Sequence, residues 1–375
     1  MPNTHRVVQG ILLVAASALL ASCASGGGGG GQAPAPAQPG GTQASPRAAS
    51  PWPLKTRLHV DLWLHGYAMI QDDTTIVPYF KRGYRDAMVA TKARTNATTQ
   101  LDANRDQLRA RFAVNRNLVG AQFLPLYFDS WETLQRAMET FLQAEGNPQR
   151  ASDQQTYAVI ATFSQYFPTA PDREWLRMFA NSLRDEHDRF YRAYWTQRQR
   201  ELEPVLARID TLWEDTYRPK LQRYLNNTQS GSGSFYLALP LDGEGRTITG
   251  TTREENVVTT AFPETREAAT EAIFVFAHEV IGRVASTAVD DNTTPTEKRA
   301  GLSDRYASAA AVRGGALLLK RVAPELLDGY VRYYLRSANT AGGGGDEAAL
   351  ARAFPLPQGI LDAINRQLDV VLGGI

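Results

Sequence analysis

Between residues 80 and 225, apolar side chains recur every three or four positions. That is the spacing of helices that bury one face and wet the other. Residues 131–144 put Leu134, Met138, Phe141 and Leu142 on one stripe, and residues 101–112 and 157–166 predict two further helices. The longest pattern spans residues 172–225. Trp175, Phe179, Leu183, Phe190 and Tyr194 mark its first stripe, and Leu202, Leu206, Ile209, Trp213 and Tyr217 its second. Pro171 stands where a helix start tolerates proline, and Pro204 predicts a kink or a division into two helices. Aromatic stripes at this spacing read as core.

Residues 58–67 carry two periods at once. Leu58, Val60, Leu62 and Leu64 alternate like a strand, while Leu58, Leu62 and Met69 share a helix face. The pattern outlasts a usual strand, so a helix is expected. It holds His59, Asp61 and His65, which read either as a ligand cluster or as exposed or hydrogen-bonded side chains. His187 lies among charged residues and is expected to face solvent.

After residue 226 the pattern changes. Residues 235–239 and the β-branched residues 256–262 read as strands, the second closed by Pro263. Asp242-Gly243-Glu244-Gly245 predicts a tight turn, with residues 246–249 as the return strand. The most apolar run outside the N-terminus follows, over residues 272–284. Two or three more helices are expected, at 306–322, 324–335 and 360–372. The run Gly342 to Gly345 lacks the Lys-Ser/Thr of a phosphate loop. The fold class expected is α+β and predominantly helical: a mainly helical region at 53–230 and a small sheet with helices at 231–375, forming one compact domain.

The chain has 375 residues, 43% apolar and 21% charged, which suits a sizeable core. Its start reads differently. His5 and Arg6 precede an apolar stretch at residues 11–20, too short for a comfortable membrane span and typical of a signal peptide. Leu20-Ala21-Ser22-Cys23 follows, and Cys23 is the chain's single cysteine. This segment resembles the lipobox of bacterial lipoproteins. The resemblance implies that residues 1–22 are removed, that Cys23 is lipidated, and that the protein reaches the cell envelope. By the same analogy Ala24 favours the outer membrane of a diderm bacterium. Residues 24–52, rich in Gly, Ala and Pro, read as a tether that cannot fold. Without Arg6, the 40 basic residues become 39, against 39 acidic. That balance gives no basic excess for nucleic-acid binding.

Residues 272–284 contain His278-Glu279 near their C-terminal end. They resemble the active-site helix of zincin metallopeptidases, whose motif is His-Glu-x-x-His. In that family the two imidazoles, one turn apart on one helix face, hold Zn²⁺, and the Glu is the general base on the metal-bound water. The third ligand comes from downstream, a Glu in the gluzincin branch. The resemblance assigns His278 as a metal ligand and Glu279 as the base, and makes residues 256–262 the edge strand lining the cleft. This chain departs from the motif at Gly282, which stands where the second His belongs. Val280, Val284 and Ala288 continue the helical spacing past that glycine, which reads as room for a backbone or ligand to come close. Asp290, Asp291 and Glu297 are downstream acids. Thr294-Pro295-Thr296-Glu297 is explained better as a helix-capping box. His59 or His65 are the imidazoles that could rebuild a site.

Three readings stay open. One is a zincin-like domain that has lost its metal site and binds or scaffolds a peptide or protein, with no cofactor. The second is a working metallohydrolase with rearranged ligands and Zn²⁺. The third is an unrelated helical lipoprotein.

Overall fold

The computed structural model describes residues 50–72, 75–250, 256–340 and 346–373. The signal segment, Cys23 and most of the tether lie outside them. The described chain is α+β and predominantly helical, with one four-stranded sheet.

The strands are β1 (Leu54–Lys55), β2 (Ser234–Ala238), β3 (Arg246–Ile248) and β4 (Val257–Ala261), in the order β1-β2-β4-β3. β1 and β4 both run parallel to β2, with Leu54 opposite Phe235 and Phe235 opposite Val258. β3 is antiparallel to β4, with Thr247 opposite Val258.

Two expectations change here. The strand at residues 256–262 is not the edge. Val258, Thr259, Thr260 and Ala261 are buried, and β4 sits between β2 and β3. The edges are β1 and β3, and β3, on the β4 side, is short with Arg246 exposed, as edge strands commonly are. Nor does β3 return along β2. The intervening loop pairs elsewhere: Asp242 N donates to Tyr79 O (2.8 Å), and Lys81 N to Pro240 O (2.9 Å). The two places beside β2 that a hairpin partner could take are filled by β1 and β4.

The stretch read as strand or helix is a helix, Leu58–Ile70, buried almost throughout. A continuous helical path runs from Ala170 to Asn227, and Pro204 does not divide it. Arg200, whose carbonyl loses its partner to that proline, is exposed, so water can replace the bond. The irregularities fall instead at two π-helical turns, His187–Tyr191 and Trp213–Tyr217.

The apolar helix behind the sheet is Thr270–Val280. It turns at Ile281 and resumes as Gly282–Asn292. The whole Thr270–Asn292 segment is long and apolar enough to cross a membrane, but 72% of its most apolar window is buried inside the protein. Its apolarity is that of a core element. Phe276 meets Trp52, Trp213 and Phe235 at ring centroid distances of 5.4, 4.4 and 4.7 Å. One buried cluster therefore joins the start of the described chain, the long helix, the sheet and the His-Glu helix.

Candidate functional site

His278 and Glu279 lie on the last turn of Thr270–Val280, against the β2–β3 loop and β3. The loop packs closely on β4 and the helix at Gly245, and on Val77 and Ser337 at Gly243, because these two residues are glycines. A Cβ at Gly245 would stand 2.0 Å from the Thr259 carbonyl oxygen and 3.2 Å from Glu279 Cγ. At Gly243 it would stand 2.6 Å from Val77. This approach brings Glu244 to His278, with Oε1 3.9 Å from Nε2. Tyr334, on the helix Leu327–Ser337, stacks on the imidazole at 5.3 Å and 24°, and its hydroxyl donates to Gly243 O (3.1 Å).

The two sides of the imidazole differ. Nδ1 lies 3.1 Å from Glu279 Oε1, which also accepts from Gly245 N at 3.0 Å. Glu279 Oε2 accepts a longer bond from Thr247 at 3.4 Å. A carboxylate on Nδ1 fixes that nitrogen as the donor, so a neutral His278 presents its lone pair at Nε2. Nε2 is buried and has no hydrogen-bond partner among the described residues. Burial pushes the His278 pKa down, but the charge of Glu244 and the hydrogen bond and charge of Glu279 outweigh it, and the net shift is upward.

Glu244, His278 and Glu279 form a group whose ligand atoms lie within 4.8 Å of one another. Such a group could hold a proton or a metal ion. The orphaned, buried Nε2 facing a carboxylate fits a cation between them. Glu279 on Nδ1 takes the place of the outer carboxylate that orients a metal-bound imidazole. Its oxygens already accept from the imidazole, Gly245 and Thr247, which is the geometry of a positioning group.

The other sequence candidates stay apart from this group. His59 Nε2 lies 2.8 Å from Phe128 O, and its pKa is lowered, chiefly by burial. Asp61 is fully buried, accepts from Trp195 Nε1 (2.7 Å) and Leu239 N (2.8 Å), and is pushed up to about 7 by burial. His65 bonds Glu186 at 3.0 Å and Tyr84 at 3.1 Å. All three are buried and hydrogen-bonded. His187 is partly buried against Asp188, with Nδ1 2.7 Å from its carboxylate, and does not simply face solvent.

Asp290 and Asp291 are exposed on the far helix. Glu297 completes a capping box: Thr294 N donates to its carboxylate (2.8 Å), and Glu297 N to Thr294 Oγ1 (3.3 Å). Among the described residues nothing stands within 4 Å of the Cβ position at Gly282, so no other backbone comes close there.

Glu244 is the member that sequence reasoning missed, treated there as a turn residue. The available signal was an acid between two glycines, ahead of the two strands that lead to the His-Glu helix. No protein-family model, curated protein or solved structure matches this chain.

Proposed function

We propose that the protein is an envelope lipoprotein, anchored through Cys23, whose zincin-like helix serves binding or scaffolding in place of peptide hydrolysis. The observation that carries this reading is at Gly282. A zincin-type centre needs its second imidazole there, and the position offers no side chain and, among the described residues, no neighbour within 4 Å. A catalytic zinc site takes three protein ligands and keeps one position open. Here one imidazole nitrogen faces one carboxylate, and the remaining acid is held on the opposite side of the ring. What the cluster retains is a mechanical role, tying the helix to the loop and to β3. The ligand class that fits is a peptide or protein segment laid along β3, the edge strand whose Thr247 contacts Glu279.

Metal analysis of the purified protein tests this. The native chain is expected to carry no stoichiometric Zn²⁺, and Gly282→His to acquire it, because no described residue crowds that position. One tightly bound Zn²⁺ per native chain, lost in His278→Ala, would overturn the reading. Anchoring is separate: Cys23→Ser should move the protein from the membrane to the soluble fraction.

Glu244 favours a second reading, a metallohydrolase holding Zn²⁺ through His278 and Glu244. It requires a hydrolytic activity that disappears in Glu279→Gln while the fold, followed by circular dichroism, is unchanged.

A further inference from the structure

A second concavity, of about 770 Å³, opens between the helix Tyr84–Arg94 and the π-helical turn His187–Tyr191 with the helix that follows it. None of Glu244, His278 and Glu279 lines it. Its wall has an apolar part, made by Tyr84, Met88, Phe190 and Tyr194. Phe190 and Tyr194 are stacked at 5.6 Å. The π-turn is what sets Phe190 and Arg189 in this wall, and such turns are frequent at functional sites.

The wall is also strongly basic for a chain of net charge +1. Five basic side chains line it against two acidic ones. Glu264 is shared by Lys81 and Arg198, and Arg198 also pairs with Glu201. Arg189 is held by Asp185 at 2.7 Å. Arg82 and Arg94 are left over. Among the described residues they bond only neutral groups, the Ser337 carbonyl and the Thr91 hydroxyl, each at 2.8 Å. Both are exposed.

The wall is braced from behind. The Tyr84 ring is fixed through its hydroxyl to His65 (3.1 Å), and His65 to Glu186 (3.0 Å). Glu186 accepts from buried Lys92 at 2.8 Å, and Lys92 also pairs with Asp102 at 2.7 Å. Lys92 Nζ lies 5.4 Å from the Phe190 ring. Side chains locked in this way keep a site's shape before a ligand arrives.

We infer that this concavity binds a small amphiphilic anion, its apolar body against Tyr84, Met88, Phe190 and Tyr194 and its carboxylate or phosphate head at one end, at Arg82 or at Arg94, which stand at opposite ends of the helix Tyr84–Arg94. The aromatic wall supplies contact area, and the two arginines supply the surplus charge that selects the sign of the head group.

Calorimetric titration of the full chain with octanoate, octyl phosphate and octyltrimethylammonium tests the inference. The two anions separate a carboxylate head from a phosphate head, and the cation carries the same apolar chain. One-to-one binding of at least one anion is expected, at least tenfold tighter than the cation. Arg82→Glu with Arg94→Glu should weaken it at least tenfold. Ala193→Trp, at an exposed position in the lining, should weaken it by filling the space, with the core untouched. Binding of the cation as tight as the anions, binding that survives both variants, or no binding of either anion would overturn the inference.

Discussion

Gly245 shows how a single missing side chain builds the site. The close contact that forbids a Cβ there, 2.0 Å to a backbone oxygen of the central strand β4, is the contact that carries Glu244 to His278. Backbone cannot rotate away as a flexible side chain can. Gly245→Ala is therefore expected to destabilise the protein by about 1–3 kcal/mol, the usual cost of overpacking, measured by urea denaturation. The same variant should release Glu279 from Gly245 N. Gly282 is the opposite case, with no described residue within 4 Å of its Cβ position.

At the scale of elements, capping chemistry was legible and sheet order was not. The Thr294-Pro295-Thr296-Glu297 box forms as its sequence implies, because all of its bonds lie within four residues. Thr294→Ala should cost about 1 kcal/mol, the usual loss of an N-cap, with the change confined to unfolding free energy and no effect on the His278 cluster. The helices were legible for a similar reason, since their periodicity records which face is buried. Whether the strand at 257–261 is central or terminal depends on which strands pair with it, and no local pattern encodes that. Its four consecutive buried residues, seen only in the fold, are those of a strand covered on both faces.

Across the whole molecule, buried ionisable groups set the pH response. Asp61 joins the helix Leu58–Ile70, Trp195 of the long helix and Leu239 at the end of β2. Burial raises its pKa from 3.8 to about 7. A carboxyl group with a raised folded pKa binds its proton more tightly in the native state. Its contribution is complete below pH 3.8, falls as pH rises towards 7, and is flat above. The loss across that window is on the order of 4 kcal/mol at most. His278, whose pKa is also raised, adds a further decline above its ordinary value of 6.5. Asp61→Asn should lose one hydrogen bond at every pH, because the amide has a single acceptor oxygen. It should also flatten the stability profile between pH 4 and 7. An unchanged slope in thermal melts across that range would show that Asp61 is not its source.

The sequence by itself determined the helical periodicities, the capping box, the His278-Glu279 pair and the glycine four residues after His278. All of these are written in neighbouring residues, within one or two turns of chain. Only the tertiary structure decided that Glu244 completes the cluster, that β3 and not β4 is an edge, and that His59, Asp61 and His65 bond elsewhere. Each of those outcomes depends on contacts between segments far apart along the chain. The glycines at 243 and 245 permit the decisive approach, and the packing of the sheet on the His-Glu helix selects it.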